Sequence, residues 1–250
     1  MDNVKGMVLC GGKGTRLRPL TNYIQKTMVP VGLKQKPLLE YVVKLFKYHG
    51  VKDLVFLVNY KSEQITNYFE DGSRFGVNIT YVKDDPNSKG TGGAVLTAYN
   101  QGAISKDDTL LVYYGDIVTD IDLSGLVEYH NKNNAWTTLA LSSGFKTRVG
   151  VASLDDNSKV IDFEEKPVLK KPVTIGISVL KGEMLKLMKQ LKGDNIELDF
   201  MGEVLPHLLK EEKPVYGYVT PAFWYDVLST EAYEKLDQKL VDDLFKDILG

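Results

Sequence analysis

Residues 5–21, close to the N-terminus, have the sequence KGMVLCGGKGTRLRPLT. Its first six residues form a short apolar run, which predicts a buried strand that ends at the glycines. Apolar residues at helical spacing follow at 36–50, and another apolar run at 53–59 predicts a second strand. These elements predict a strand, a crossover helix and a second strand that is parallel to the first.

Strand and helix patterns continue to alternate through the first half of the chain, and strand patterns dominate the second half. This order predicts an α/β protein, a Rossmann-like three-layer α/β/α sandwich around a mixed, mostly parallel sheet. No linker rich in proline, glycine or serine interrupts the chain, so we expect a single domain over 1–250. Its predicted parts are an N-terminal half of about 1–135, a second half of about 136–228 and a C-terminal helix over 229–250.

Composition excludes several classes of function. The 250 residues include 31 Lys and Arg against 33 Asp and Glu, and a net charge of −2 does not favour nucleic-acid binding. The single cysteine, Cys10, excludes an internal disulfide and a cysteine-based metal site. No apolar run has the length of a membrane span and the first residues do not resemble a leader, so we expect a cytoplasmic protein without membrane contact. Residues 1–40 nevertheless carry seven cations and two acids, which indicates a small anionic ligand.

The glycine-rich segment after the first strand predicts a phosphate-binding loop. Gly11, Gly12 and Gly14 lack a Cβ, so successive backbone N–H groups can turn toward a phosphate. The loop follows the carboxyl end of a strand, where α/β sheets hold their ligands. Arg16 adds a permanently charged guanidinium that suits a triphosphate. The spacing fits neither the GxGxxG pattern nor the P-loop, so neither a Rossmann-type dinucleotide nor a P-loop site is expected.

Several further motifs accompany this loop, which has the form GGxGTRLxPLT. They are KGTGG (89–93), YGD (114–116), FEEKP (163–167) and FWYD (223–226). Together they resemble the motifs of the sugar-1-phosphate nucleotidylyltransferases, also called nucleoside-diphosphate-sugar pyrophosphorylases. The resemblance implies the nucleotide-diphospho-sugar transferase fold, with a nucleotide-binding N-terminal half and a sugar-binding second half. It also implies a Mg²⁺-dependent attack of a sugar 1-phosphate on the α-phosphorus of a nucleoside triphosphate, in which pyrophosphate leaves.

The same resemblance assigns residues to particular roles. The expected catalytic residues are Arg16, Lys26 and Asp116. Asp116 and Asp226 are the expected Mg²⁺ ligands, because one or two carboxylates can hold this ion while substrate phosphates complete its shell. The expected nucleotide-binding residues are Leu9, Gly11, Gly12, Gly14, Thr15, Arg16, Asp85, Gly90 and Gly93. The expected sugar-phosphate-binding residues are Gly150, Glu165, Lys166 and Thr174.

The sequence also departs from the family pattern. Gln25 replaces the proline before the catalytic lysine, and Thr174 replaces a common asparagine. Leu228 stands where the family usually has a glycine two residues after the second metal-binding aspartate. Because a glycine can adopt turns that leucine avoids, this change bears on the orientation of Asp226.

The resemblance leaves several alternatives open. The nucleotide is one of dTTP, UTP, GTP and CTP: the Asp85 carboxylate could accept hydrogen bonds from guanine, whereas KGTGG and YGD are also typical of the cytidylyl-transferring branch. The sugar is glucose 1-phosphate or mannose 1-phosphate. A non-sugar acceptor such as phosphocholine is the alternative reaction, and a noncatalytic regulatory subunit that binds a nucleotide sugar is the alternative class. The apolar stripe of the C-terminal helix also allows a homodimer or homotetramer.

Overall fold

Strands and helices alternate in the first half of the chain, as the apolar pattern predicts. A computed structural model describes residues 1, 3–147 and 149–249. The strands of these residues are β1 (Val4–Leu9), β2 (Pro30–Val31), β3 (Lys36–Pro37), β4 (Asp53–Val58), β5 (Asn78–Lys83), β6 (Thr109–Tyr114), β7 (Ile117–Thr119), β8 (Thr137–Ser142), β9 (Phe145–Lys146), β10 (Val151–Leu154), β11 (Val160–Glu164), β12 (Val168–Leu169), β13 (Val173–Lys181), β14 (Val215–Thr220) and β15 (Trp224–Asp226). Their α-helices are α1 (Leu38–Tyr48), α2 (Ser62–Phe69), α3 (Gly90–Asn100), α4 (Leu123–Lys132), α5 (Met184–Lys192), α6 (Leu205–Lys210), α7 (Thr230–Lys235), α8 (Gln238–Leu244) and α9 (Lys246–Leu249). Short 3₁₀ turns lie at Thr15–Leu17, Leu20–Asn22, Lys26–Met28 and Ser73–Phe75, and a π-helical turn at Phe200–Val204 precedes α6.

A central sheet of seven strands has the order β14-β8-β13-β6-β1-β4-β5. Strand β1 lies inside it and pairs in parallel with β4 and β6, and the pairs β4–β5 and β14–β8 are also parallel. Strand β13 runs antiparallel to both of its neighbours, β6 and β8. The predicted α/β architecture with a mixed, mostly parallel sheet is therefore confirmed.

The side chains of the central strands alternate between two hydrophobic cores. In β1 and β4, Val8 and Phe56 face the core that includes α1, whereas Met7 and Val55 face the core that includes α3 and α5. This alternation follows from the two-residue repeat of a strand, and burial on both faces explains why these strands are almost continuously apolar. Helices on both faces of the sheet produce the predicted three layers.

The C-terminal segment corrects one prediction. The expected single helix over 229–250 is instead three short helices, α7, α8 and α9, in the residues described up to 249. Leu236 is extended, and the Asp237 carboxylate accepts a hydrogen bond from the backbone N–H of Leu240, so it caps a new helix. The apolar stripe still docks on its own domain: the ring of Phe245 meets that of Tyr41 edge-on at 5.0 Å. The apolar spacing predicts a helix throughout this segment, but the cap at Asp237 divides it.

Two short strands outside the central sheet determine the geometry of the site. Strand β15 pairs antiparallel with β7, so that Asp226 is the register partner of Ile117. The backbone N–H of Val227 also donates to the carbonyl oxygen of Asp116. These contacts bring the two predicted metal ligands to neighbouring backbone positions at the carboxyl edge of the sheet. In the described part of the chain, no helix combines the length and the apolar character needed to cross a bilayer.

Candidate active site

The glycine loop after β1 is held in one conformation by its own hydrogen bonds. Gly14 has a positive φ of 59°, which glycine adopts without strain. Its carbonyl oxygen accepts from the backbone N–H of Leu17 and from the Thr21 hydroxyl, at 2.9 and 2.8 Å. Leu17 is fully buried, so the turn is anchored in the core. Hydrogen bonds and a buried side chain therefore fix the conformation of this loop.

Gln25 links this loop to the segment that carries Lys26. Its side-chain amide donates to the carbonyl oxygen of Cys10, and its side-chain oxygen accepts from the backbone N–H and the hydroxyl of Thr27. Its own backbone N–H donates to the side chain of Gln64. A proline has neither a backbone N–H nor a side-chain amide, so it could not make these bonds. The departure from the family pattern is thus a buried polar staple, a role that sequence analysis missed.

A cavity of about 170 Å³ lies between the loop and the end of β6. The Lys26 ammonium donates to the Asp116 carboxylate within it, and both side chains are largely buried. Arg16 is exposed and lies at the same cavity, which we call the cradle. The residues that line the cradle are Leu9, Cys10, Gly12, Gly14, Thr15, Arg16, Gln25, Lys26, Thr27, Asp116 and Leu228. All three predicted catalytic residues therefore meet at one cavity.

A second cavity of about 210 Å³ adjoins the cradle along β6 and β13. Leu9 lines both cavities, so a ligand in one is close to a ligand in the other. Thr174, a predicted sugar-side residue, and Asp226 line this second cavity together with Trp224. The remaining lining residues are mostly apolar and are Thr91, Val95, Val112, Tyr114, Ile117, Leu139, Ile175, Gly176, Ile177, Ser178, Leu180, Phe200 and Met201. Trp224 is part of the FWYD motif (223–226), so this motif could have predicted it as a site residue.

Asp116 and Asp226 form a two-carboxylate set, one at each cavity. No group of three or more His, Cys, Asp or Glu side chains suited to a metal occurs among the described residues. Mg²⁺ binding through one or two carboxylates, with substrate phosphates and water as the other ligands, needs no larger protein set. The carboxylate oxygens of Asp116 and Asp226 therefore have the donor chemistry that suits Mg²⁺.

The glycines of the KGTGG motif serve backbone packing. Gly90 has a φ of 79°, and a Cβ at this position would lie 2.5 Å from the carbonyl oxygen of Leu198. A Cβ at Gly93 would lie 2.6 Å from the carbonyl oxygen of Ser88. Neither glycine lines the cradle or the second cavity, whereas their neighbour Thr91 does. Thr91 also receives a hydrogen bond from the backbone of Phe200, which holds the cavity wall in place.

Seven predicted site residues lie outside both cavities: Gly90 and Gly93, described above, and Gly11, Asp85, Gly150, Glu165 and Lys166. A Cβ at Gly11 would lie 2.8 Å from a carboxylate oxygen of Asp84, so this glycine allows a close approach of the two segments. The Asp85 side chain is exposed and accepts from the backbone N–H of Asn87, which forms a local turn. Glu165 and Lys166 form an exposed ion pair at 3.5 Å just after β11. Gly150 packs close to Phe163, because a Cβ there would lie 2.3 Å from that ring. More of the predicted nucleotide-binding residues than of the predicted sugar-phosphate-binding residues therefore line the two cavities.

Cys10 lines the cradle but is not suited to nucleophilic chemistry. It is only 1% exposed, and burial, together with the nearby Asp84 carboxylate, raises the pKa of its thiol. A thiol that stays protonated is a poor nucleophile. Cys10 thus packs the end of β1.

The fold and the two joined cavities define an α/β protein with an anion-suited cleft at the carboxyl edge of its sheet. Comparison with known proteins agrees: the sequence model of the family described as Nucleotidyl transferase matches residues 5–243. A UTP–glucose-1-phosphate uridylyltransferase from Synechocystis sp. is 31% identical over 245 residues, covering 90% of this chain and 60% of that protein. A mannose-1-phosphate guanylyltransferase from Mycobacterium tuberculosis is 32% identical over 245 residues, covering 95% and 65%. A solved structure of a putative glucose-1-phosphate thymidylyltransferase from Bacillus anthracis, in complex with a sucrose, has a TM-score of 0.75 at 22% identity, covering 95% of this chain and 94% of that chain.

The chain belongs to the nucleotidyl transferase family, and its relatives include sugar-1-phosphate nucleotidyltransferases. The predicted family resemblance is therefore confirmed. The chain spans 60 to 65% of the length of the two curated relatives.

Proposed function

We propose that this protein transfers the nucleotidyl group of a nucleoside triphosphate to a hexose 1-phosphate and releases pyrophosphate. An oxygen of the sugar phosphate attacks the α-phosphorus, and the bond to the β-phosphate breaks. The observation that carries the proposal is the meeting of Arg16, Lys26 and Asp116 at a cavity that shares Leu9 with a second, larger one. Two joined cavities suit two substrates whose phosphates must come into line.

The cradle is suited to a triphosphate for electrostatic and steric reasons. Gly12 offers backbone without a side chain, and nothing lies within 4 Å of the position that its Cβ would take. Arg16 can donate several hydrogen bonds to the departing pyrophosphate, and Lys26 can neutralise charge on the α-phosphate. The contact with Asp116 holds the Lys26 ammonium at the cradle before substrate binds.

Mg²⁺ is part of this proposal. Asp116 and Asp226 are the residues that would hold it, since their backbones are joined through β7 and β15. When bound, the ion would offset negative charge on the reacting phosphates. In the protein without substrate, Lys26 already offsets part of the charge on Asp116.

The second cavity is the proposed acceptor site. Thr174 can hydrogen-bond to a sugar hydroxyl, and the Trp224 ring supplies an apolar face. For Glu165 and Lys166 to contact the sugar phosphate, their segment has to approach Thr174 when the substrate binds. The names of the relatives make glucose 1-phosphate and mannose 1-phosphate the first acceptors to test.

The test is pyrophosphate release with dTTP, UTP, GTP or CTP, each paired with glucose 1-phosphate, mannose 1-phosphate or phosphocholine. Each pair is assayed with and without Mg²⁺. We expect Mg²⁺-dependent release with a hexose 1-phosphate. Release only with phosphocholine would replace the acceptor class, and no release with any pair would favour a noncatalytic nucleotide-sugar-binding protein.

A matched pair of variants separates the role of Arg16 from general charge. Arg18 is exposed in the same loop but does not line the cradle. Arg16→Ala should lower kcat/KM by about a hundredfold or more, as for other groups that stabilise transition-state charge. Arg18→Ala, with the same loss of charge, should stay close to wild type. Equal effects of the two substitutions would remove Arg16 from the proposed machinery.

A further inference from the structure

A third cavity, of about 510 Å³, lies on the side of α1 next to α2 and α9. It is separate from the proposed active site, since it shares no lining residue with the cradle or the second cavity. Its lining residues are Lys36, Glu40, Lys44, Lys47, Tyr48, Tyr68, Arg74, Phe75 and Ile248. Four of these residues, Lys36, Lys44, Lys47 and Arg74, have basic side chains that are cationic at neutral pH, and Glu40 is acidic.

The single carboxylate of this cavity is used to position its neighbours. Glu40 is 3% exposed and accepts a hydrogen bond from the Tyr68 hydroxyl. Its Oε1 lies 3.6 Å from the Lys36 ammonium and 3.5 Å from that of Lys44. A buried carboxylate shared in this way draws two lysines toward one point. It balances only one of the four positive charges, so the lining keeps an excess of three.

Two other cations are held at the same cavity by packing. Arg74 donates to the carbonyl oxygen of Tyr68, and its guanidinium carbon lies 5.3 Å and 4.8 Å from the ring centroids of Tyr68 and Phe75. Because a guanidinium has five N–H groups, one backbone bond leaves donors for a ligand. The Lys47 side chain passes over Gly76, where an added Cβ would lie 3.0 Å from its ammonium nitrogen.

We propose that this third cavity binds a small anion that carries two or more phosphoryl groups. An excess of three positive charges matches such an anion better than it matches a monoanion or a neutral sugar. The volume falls in the range of small-molecule sites. The rings of Tyr48, which is 59% exposed, and Phe75 can flank an attached base, so free polyphosphate and nucleotides share the required chemistry.

The test uses the Arg16→Ala/Lys26→Ala protein, so that phosphate binding in the cradle does not contribute. Inorganic tripolyphosphate and ADP are each titrated by calorimetry at low and high NaCl. We expect binding at low salt that weakens as salt rises, because the contacts are between charges. No binding of either probe in this background would overturn the proposal, and it would do so whether or not the transferase proposal holds.

Matched substitutions locate the binding. Lys44→Gln/Lys47→Gln, added to the same background, should weaken affinity by about tenfold or more through loss of charge-assisted hydrogen bonds. Lys189→Gln/Lys210→Gln removes the same charge from exposed positions on α5 and α6 and should leave affinity unchanged. If the two double substitutions weakened the affinity equally, the effect would come from net charge alone, and the proposed site would be refuted.

A single substitution guards against loss of folding. Lys47 is exposed, so Lys47→Glu should preserve the fold, which circular dichroism checks, and should weaken binding more than Lys47→Gln. Similar affinities of Lys47→Glu and the unchanged background would also refute the proposal. Pyrophosphate, titrated in the same background, has the same number of phosphoryl groups as ADP. Tighter binding of ADP than of pyrophosphate would assign the aromatic rings to the base, and equal affinities would assign recognition to the phosphoryl groups; either result supports a polyphosphoryl site.

Discussion

Replacing Gly14 with alanine should perturb both the glycine loop and Lys26, the proposed catalytic lysine. The residue has a φ of 59°, and a left-handed backbone costs a residue with a Cβ about 1–2 kcal/mol. The new methyl group would lie 2.9 Å from Cγ2 of Thr21 and 3.0 Å from Cβ of Lys26. Crowding of this kind adds about 1–3 kcal/mol when neighbours must shift. We therefore expect Gly14→Ala to lower the free energy of unfolding by about 2–5 kcal/mol.

Two other glycines separate the contributions to this loss. Gly102 has a φ of 73° but nothing within 4 Å of its added Cβ, so Gly102→Ala should show only the backbone cost of about 1–2 kcal/mol. Gly12 lies in the same loop as Gly14, with open space around its Cβ and no positive φ. Gly12→Ala should leave the stability nearly unchanged while placing a methyl group in the cradle.

The assays are urea unfolding of all three variants and steady-state nucleotidyl transfer. Because the added methyl group displaces Lys26, Gly14→Ala should lower kcat even where the protein remains folded. Gly102→Ala should keep wild-type kinetics, and Gly12→Ala should mainly raise KM for the nucleoside triphosphate. Equal stability losses in Gly14→Ala and Gly102→Ala, together with an unchanged kcat, would show that Gly14 does not position Lys26.

Three further perturbations follow from the site and the core. Gln25→Ala should lower the free energy of unfolding by about 2–4 kcal/mol in urea, since it leaves buried backbone groups without partners; an unchanged urea midpoint would contradict the staple. Burial, aided by the charge of Lys181, lowers the pKa of His130 to about 4, so the unfolded chain takes up a proton that the folded chain excludes between about pH 6.5 and pH 4. The stability should therefore fall on acidification through this window, and His130→Asn should show a smaller fall in the same pH series. Asp116→Asn should abolish Mg²⁺-dependent activity, and an unchanged Mg²⁺ titration would refute the assignment of this ligand.

Sequence patterns predicted the parts of the protein that depend on neighbouring residues. The apolar run of β1 and the glycines after it specify a strand and a tight loop, because strand burial and backbone freedom act over a few residues. Regular alternation of such units limits the topology to a mostly parallel sheet. Arg16, Lys26 and Asp116 line one cavity because the segments that carry them lie at the carboxyl edge of that sheet.

Tertiary structure decided the features that depend on distant contacts. Pairing of β7 with β15 places Asp226 beside Asp116, although Leu228 replaces the usual glycine. No local sequence pattern predicts this strand register. Gln25 became a buried staple only through its contacts with Cys10 and Gln64, which separate elements supply. Glu165 and Lys166 belong to the FEEKP motif but lie at the surface, since a motif specifies side chains and not their distance from a cavity. The family and the fold were thus readable from local chemistry, whereas the arrangement of the site depended on packing between elements far apart in the chain.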